Sequence, residues 1–155
     1  MNNDTDKKYL RSHIGEVYTT KDGYECKIID GGSRDSYCTI QIENWTTEYQ
    51  FSAIKRGQIK YPYHPSVYNT GYIGEGKYNA YSEEYKVWRG MIARCYDPKT
   101  QKIQPTYIGT IVCKEWHNFQ VFAKWYHTQY KEKSWQLDKD LLSDKENKKY
   151  SHRLV

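Results

Sequence analysis

The sequence predicts an α+β fold, in which a small N-terminal β-barrel or β-meander precedes an aromatic-rich α/β unit. Residues 15–63 alternate apolar and polar side chains with the period of two that strands require. From Ser82 the apolar side chains recur at helical spacing instead. We therefore expect a β-rich module over residues 1–65, a connector rich in Tyr and Gly over 66–81, and the α/β unit over 82–155.

The β-rich module divides into short strands. An Asp-Gly pair at residues 22–23 separates the first two, and Asp-Gly is the usual chemistry of a two-residue hairpin turn. Cys38, Ile40 and Ile42 fall on one face of a later strand, and residues 49–52 continue as another. Four or five strands at this spacing are typical of a small open barrel or a curled meander.

The sequence changes character after these strands. Residues 54–65 combine cations, aromatic rings and Pro or Gly, which predicts an exposed, semi-rigid connector. Residues 66–81 remain rich in Gly and Tyr, and we expect them to form a loop, with or without one short strand.

The first predicted helix begins at Ser82, a suitable N-cap, and ends at Asp97-Pro98. Its apolar side chains follow one another at steps of three and four residues, which places them on one helical face. This face consists of Tyr85, Trp88, Ile92 and Cys95.

The second predicted helix is capped by His117 or Asn118 and ends near Tyr130. Its apolar residues are Phe119, Phe122, Ala123 and Tyr126. Residues 106–113 before this helix are expected to form a strand or a turn followed by a strand. Residues 135–141 after it are expected to form a final strand.

Aromatic residues supply much of the apolar mass. The chain has 5 Trp, 17 Tyr and 3 Phe, against a mean hydropathy of −1.01. Tyr and Trp bury large faces while keeping a polar tip, so they suit both a small core and a wet binding surface. The rings expected in the core are Trp88, Trp116, Trp125, Phe119 and Phe122.

The charge balance favours an anionic partner. The net charge is +5 and the pI is about 8.9, which is typical of nucleic-acid binding but also of basic proteins without a polyanion partner. The cations that stand beside rings or on the first helix combine phosphate donors with stackable surfaces. The candidate nucleic-acid-binding residues are Lys55, Arg56, Lys60, Tyr61, Tyr63, Arg89 and Arg94. The alternative is a solvated loop and a solvated helix face.

The four cysteines predict reduced thiols. Cys26, Cys38, Cys95 and Cys113 form no CxxC pair, and the polar N-terminus does not have the form of a secretory leader. No apolar run reaches the ~20 residues of a membrane span. We expect a cytoplasmic protein in which Cys38 and Cys95 are core residues. Cys113 has no paired His that would activate it as a nucleophile.

Two carboxylates near the end of the chain are weak candidates for a metal site. Asp138 and Asp140 stand at i and i+2 of the final predicted strand, so both would face one side and offer oxygen ligands to Mg²⁺. Solvated carboxylates beside Lys139 are the more common explanation. His117 and His152 are the candidates for a general base, although each is more simply a cap or packing residue.

Several blocks of the chain resemble a known family. Residues 85–96 read Tyr-x-x-Trp-Arg-Gly-Met-x-x-Arg-Cys-Tyr, residues 137–140 read Leu-Asp-Lys-Asp, and residues 147–151 read Asn-x-x-Tyr-Ser. These blocks resemble the phage-borne HNH-like homing endonucleases. Residues 57–68, Gly-x-Ile-Lys-x-Pro-Tyr-x-Pro-Ser-Val-Tyr, look like the upstream half of the same group. The resemblance implies a phage protein acting in a bacterial host cell, with DNA a more favoured partner than RNA.

The chain departs from this family at the catalytic hairpin. Where the resemblance expects a His after Asp138, the chain has Lys139, a cation at neutral pH. The sequence also stops at Val155, before the strand and helix that complete the family's metal site. We therefore expect a truncated HNH-like hairpin, and a nucleic-acid-binding protein without catalytic residues or cofactor.

Two other functions remain open. The first is a phage inhibitor of a host defence effector, such as a CRISPR nuclease, because truncated relatives of phage nucleases can be repurposed to bind such proteins. Tyr, Trp and Arg are favoured anchors for protein–protein contacts. In an active metal-dependent HNH endonuclease, Asp138, Asp140 and His152 would be catalytic with Mg²⁺ or another divalent ion. The open edge of the final hairpin favours a homodimer or a covering partner.

Overall fold

The computed structural model describes residues 8–129, 137 and 148–151. It divides into two compact units, Met1–Tyr61 and Pro62–Val155, called here the N-terminal unit and the C-terminal unit. The mixed α/β class predicted from the sequence is confirmed. The three-part division predicted from the sequence stays a prediction.

The N-terminal unit is built on one antiparallel sheet followed by a short helix. After a helical turn at residues 8–11, its described elements are β1 (Val17–Thr19), β2 (Glu25–Gly31), β3 (Tyr37–Ile42), β4 (Trp45–Gln50) and α1 (Phe51–Lys55). Each strand pairs with the next one in the chain, in the order β1-β2-β3-β4. Within the described residues the sheet is therefore an open meander and does not close into a barrel.

The turn between β1 and β2 is longer than the Asp-Gly pair predicted. The Thr20 amide donates to the Tyr24 carbonyl oxygen at 2.9 Å, and the Gly23 amide donates to the Thr20 carbonyl oxygen at 3.0 Å. Gly23 has a φ of +88°, in the left-handed region that glycine reaches without strain. A three-residue loop with glycine at this position is a common hairpin connection.

One face of the sheet forms the core of the N-terminal unit. Ile28 pairs with Ile40 across β2 and β3, and Ile42 pairs with Trp45 across β3 and β4. All four side chains are buried, as is Cys38. The prediction that Cys38, Ile40 and Ile42 share one buried face is confirmed.

The segment after β4 differs from the sequence prediction in two ways. Residues 49–52 were expected to be one strand, but β4 ends at Gln50 and Phe51 begins α1. The exposed connector was expected to begin at Ile54, yet Ile54, Ile59 and Tyr61 are buried. These side chains close the core of the sheet, so the Pro and Gly residues around them do not mark an exposed segment.

The described part of the C-terminal unit is mainly helical. Its regular elements are α2 (Glu83–Tyr96), α3 (Pro98–Ile103), β5 (Ile111–Val112), α4 (Phe119–Tyr126) and β6 (Lys149–Tyr150), with 3-10 turns at Pro105–Tyr107 and Lys114–His117. β5 and β6 pair in parallel. Residues 106–113, predicted as a strand or turn and strand, contain β5 as their only strand. Of the final predicted strand, only Leu137 lies within the described residues, and it is buried.

Both predicted helices begin where the sequence indicates. The Ser82 hydroxyl accepts a hydrogen bond from the Tyr85 amide at 3.3 Å at the start of α2. The Asn118 side chain accepts one from the Gln120 amide at 2.9 Å at the start of α4. The predicted end of the second helix near Tyr130 is wrong, because α4 ends at Tyr126.

An aromatic core joins the two long helices. Trp88 of α2 is fully buried, and its indole nitrogen donates to the Trp116 carbonyl oxygen at 2.6 Å. The Trp116 ring in turn lies 5.2 Å from that of Phe122, at nearly a right angle. The predicted core is confirmed for Trp88, Trp116, Phe119 and Phe122, while Trp125 is half-buried.

The Tyr- and Gly-rich segment is a loop that packs closely on this core. A side chain at Gly71 would place its Cβ 2.8 Å from the Trp88 ring, so only glycine fits there. The Gln120 side chain holds the loop by accepting from the Tyr78 amide and donating to its carbonyl oxygen, each at 3.0 Å. An isolated bridge pairs Val67 with Gly71.

The cysteines agree with the prediction of reduced thiols. All four are free and buried, and burial raises the pKa of Cys26 to about 11 and that of Cys95 to about 12. Such thiols are poor nucleophiles because little thiolate forms near neutral pH. No helix in the described part of the chain has both the length and the apolar character to cross a membrane.

Candidate nucleic-acid interface

Three predicted cations lie together in the chain at the end of the N-terminal unit. Lys55 is the last residue of α1, Arg56 follows it, and Lys60 comes after the turn at Gly57. All three side chains are exposed. Within the described residues, none of them pairs with a carboxylate in a salt bridge. These cations are therefore available to phosphate groups.

The backbone around these cations is well anchored. The Gly57 amide donates to the Ile54 carbonyl oxygen at 2.9 Å, and Gly57 adopts a φ of +64°. The Lys60 amide donates to the Tyr49 hydroxyl at 3.1 Å. The Arg56 side chain also folds back, with its Nε donating to the Ser52 carbonyl oxygen at 3.1 Å. An ordered backbone lowers the entropy lost when the side chains bind a ligand.

Tyr61 does not extend this exposed surface. Its ring lies 4.7 Å from the Tyr24 ring and 5.7 Å from the Trp45 ring. Its hydroxyl donates to a Glu43 carboxylate oxygen at 2.8 Å. A buried ring with a paired hydroxyl has no face for a nucleobase, so we place Tyr61 in the core.

Tyr63, the first aromatic residue of the C-terminal unit, is partly exposed. Its hydroxyl donates to a Glu75 carboxylate oxygen at 3.1 Å, and its ring lies 5.8 Å from the Tyr72 ring. Partial burial and the hydrogen bond to Glu75 raise the pKa of the Tyr63 hydroxyl. The nearby carboxylate makes this position less favourable for a phosphate.

Arg89 lies on the exposed side of α2. The guanidinium carbon is 5.2 Å from the centre of the Tyr68 ring, a distance at which a cation is attracted to the ring face. Arg89 therefore remains a candidate for a phosphate contact, since stacking leaves the edge donors of a guanidinium accessible.

Arg94 occupies a different environment on the same helix. Its guanidinium carbon lies 5.4 Å from the Tyr107 ring centre and 6.0 Å from that of Tyr150. One terminal nitrogen is 3.5 Å from the Leu137 carbonyl oxygen. Burial raises the pKa of Tyr150, and the nearby Arg94 partly opposes that shift. We assign Arg94 a structural role between these rings.

His117 and Cys113, two candidate catalytic residues, both have the environment of packing residues. The His117 Nε2 lies 3.2 Å from the Val112 carbonyl oxygen and 3.5 Å from the Tyr96 hydroxyl, inside the C-terminal unit. Burial lowers the pKa of His117, and its bond to the Val112 carbonyl opposes that shift. Cys113 is buried. These contacts are those of packing residues.

The metal candidates cannot be placed in the same way. Asp138, Asp140 and His152 lie outside the described residues. Within the described ranges, no three His, Cys, Asp or Glu side chains group as metal ligands do. Metal binding by Asp138 and Asp140 stays a prediction.

One exposed ring was missed in the sequence. Tyr9 belongs to a helical turn at residues 8–11 and is 57% exposed. It lines a groove of about 300 Å³ together with Lys55. The signal was present, because Lys8-Tyr9-Leu10-Arg11 interleaves cations with a ring in the same manner as the segment after Lys55.

Comparison with known proteins adds no relative. Searches against protein-family models, curated proteins and solved structures each returned no match. The HNH resemblance accordingly stays a prediction from the residues that suggested it. Three of the eight residues that define its block at residues 85–96 are buried, namely Trp88, Met91 and Cys95.

Proposed function

We propose that the protein binds nucleic acid through phosphate contacts of Lys55, Arg56 and Lys60. The observation that carries the proposal is their exposure without a carboxylate partner among the described residues. The net charge of +5 supports it, because a cationic surface attracts a polyanion and releases its counterions on binding. Tyr61 and Arg94 are left out of the contact set, and Arg89 is a secondary contact.

Charge reversal with a matched control tests this proposal. The test variant is Lys55→Glu/Arg56→Glu/Lys60→Glu. The control, Lys99→Glu/Lys102→Glu/Lys124→Glu, reverses three exposed lysines of the C-terminal unit and gives the same net charge. We expect the test variant to lose about 100-fold in affinity for a fluorescent duplex at moderate salt, and the control to lose much less.

The binding measurement needs a folding control. Thermal unfolding should give similar transitions for the parent and both variants, since the substituted side chains are exposed. Equal losses in the two variants would mean that net charge alone governs binding. Parent-like affinity in the test variant would remove these three residues from the interface.

We propose binding without turnover of the nucleic acid. The support is chemical: Lys139 follows Asp138, where the resemblance expects a neutral His that accepts a proton. A plasmid-nicking assay with Mg²⁺ or Mn²⁺ tests this point against an Asp138→Ala/Asp140→Ala variant. Cleavage by the parent that disappears in the variant would identify an active metal-dependent endonuclease.

A second candidate function is binding to a protein partner, such as a host defence nuclease. It is favoured by three isoleucines close together in the chain, Ile103, Ile108 and Ile111, which are 82%, 58% and 49% exposed. Exposed apolar surface is common at protein interfaces. An Ile103→Asp/Ile108→Asp variant should abolish inhibition of an RNA-guided nuclease if this surface acts, whereas the Lys55/Arg56/Lys60 reversal should not. Light scattering would detect a homodimer formed through the same residues.

A further inference from the structure

A groove beside α1 contains a cation, an exposed aromatic ring and an exposed side-chain amide. It lies within the N-terminal unit and has a volume of about 300 Å³. Tyr9, Lys55, Gln50 and Ser36 contribute to its walls. This volume is at the lower end of the range for small-molecule sites, about 300–1,000 Å³.

The groove places a cation next to an accessible ring. Lys55 Nζ lies 4.8 Å from the centre of the Phe51 ring, which holds the ammonium group at the groove wall. Tyr9 meets His13 and Phe51 at interplanar angles of 78° and 80°, so neither ring stacks in parallel on it. With 57% of its surface exposed, the Tyr9 ring can accept a flat partner.

The groove also contains an uncommitted amide. Gln50 is the N-cap residue of α1, yet its side chain makes no capping hydrogen bond. Within the described residues the side-chain amide of Gln50 has no hydrogen-bond partner, and this side chain is exposed. A carboxamide offers both a donor and an acceptor, which is the combination that reads the edge of a nucleobase.

The backbone opposite Gln50 has an unusual conformation. Ser36 has a φ of +64°, which is uncommon for a residue other than glycine, and its carbonyl oxygen accepts from the Phe51 amide at 2.8 Å. This hydrogen bond fixes the wall of the groove against the start of α1. Costly backbone conformations of this kind concentrate at functional sites.

We propose that this groove binds one unpaired nucleotide of a single-stranded nucleic acid. The base stacks on Tyr9 with its edge toward Gln50, and the phosphate contacts Lys55. Arg56, the next residue along the chain, contacts a neighbouring phosphate. A base in an intact duplex cannot reach such a groove, because it is stacked and paired on both sides.

This inference rests on the proposed function but adds a preference for unpaired strands. Its test uses the full chain and two labelled probes, oligothymidylate and a duplex of the same length, with unlabelled thymidine monophosphate and unlabelled oligothymidylate as competitors. The variants are Tyr9→Ala and Tyr9→Phe. The matched control is Tyr81→Ala, which removes a ring that is 91% exposed in the C-terminal unit.

We expect Tyr9→Ala to weaken oligothymidylate binding about tenfold, since stacking on one aromatic ring contributes an effect of this size. Duplex binding should change less than about twofold, because it depends on the cations. Tyr9→Phe and Tyr81→Ala should bind like the parent. The monophosphate should compete only weakly, since it lacks the neighbouring phosphate that Arg56 contacts.

The outcomes separate this inference from the proposed function. If duplex binding is salt-sensitive but Tyr9→Ala binds oligothymidylate like the parent, the groove does not bind a nucleotide. The proposed phosphate contacts of the cations would still hold. An equal loss on both nucleic acids would also overturn it, because Tyr9 would then act through the fold. Competition by the monophosphate as strong as that by the oligonucleotide would make the ligand a free nucleotide. Failure to bind any nucleic acid would remove both proposals.

Discussion

In the N-terminal unit, Lys55, Arg56 and Lys60 are exposed and, among the described residues, have no carboxylate partner. In the C-terminal unit, Arg94 lies between two tyrosine rings and reaches a carbonyl oxygen. Cationic side chains are thus available to ligands at Lys55, Arg56 and Lys60, whereas the Arg94 guanidinium is used for packing. A basic residue near aromatic residues therefore indicates an interface only when its burial is known.

The aromatic residues of the N-terminal unit also include both buried and exposed rings. Tyr61 directly follows Lys60, but its ring is buried and its hydroxyl is paired with Glu43. Tyr9 precedes Lys55 by many residues, yet both line one groove. The position of a ring beside cations in the chain therefore does not show whether the ring is accessible, since folding brings distant residues together and buries adjacent ones.

The largest expected effect concerns Arg94. Replacing it in an Arg94→Gln variant removes a cation that contacts two rings and a carbonyl oxygen, and should lower the free energy of unfolding by about 1–3 kcal/mol. Lys55→Gln, which removes an exposed cation, should change it by less than about 0.5 kcal/mol. Urea unfolding followed by tryptophan fluorescence compares the two variants. Similar losses of unfolding free energy in the two variants would contradict the difference proposed between a packed Arg94 and an exposed Lys55.

A pH effect should distinguish the interior of the C-terminal unit. Burial lowers the pKa of His117 in the folded protein below its unfolded value near 6.5, so protonation favours unfolding. The resulting stability is fully present above about pH 6.5 and decreases as the pH falls below it. His117→Gln should flatten this decrease in urea unfolding measured at several pH values. A parent and variant with parallel pH profiles would argue against the buried, neutral imidazole.

The smallest expected effect is that of Arg89. Its guanidinium group remains accessible above Tyr68, so an Arg89→Gln variant should lose about threefold or less in duplex affinity. Stability should fall by no more than about 1 kcal/mol, the contribution of an exposed cation–π contact. Fluorescence anisotropy and urea unfolding of the same preparation give both quantities. If Arg89→Gln lost more duplex affinity than Lys55→Gln, the main nucleic-acid contacts would lie in the C-terminal unit instead.

Local patterns predicted some elements well. The start of α2 was predictable because the Ser82 cap and the apolar repeat through Trp88 and Cys95 both lie within one short segment. The buried face of β3 followed from its alternation for the same reason. These features depend on neighbours in the chain, which is the information that a single sequence contains.

Other features depended on distant partners and could not be predicted. Phe51 fits a strand as well as a helix, and its packing against the rings of Tyr9 and His13 accompanies the short α1. The environment of Arg94 depends on Tyr107 and Tyr150, which lie far along the chain. Of the candidate interface, the sequence identified the cations but not the groove beside them.

Phosphate contact by Lys55, Arg56 and Lys60 is best measured through the salt dependence of duplex binding. Each phosphate contact contributes a slope of about −0.9 to the plot of log affinity against log salt, so three contacts contribute about −2.7. The neutral variant Lys55→Gln/Arg56→Gln/Lys60→Gln should show a slope shallower than that of the parent by about this amount, while Lys99→Gln/Lys102→Gln/Lys124→Gln should keep the parent slope. Equal slopes for the parent and the first variant would contradict the account, because the exposed cations of the N-terminal unit would then not contact phosphate.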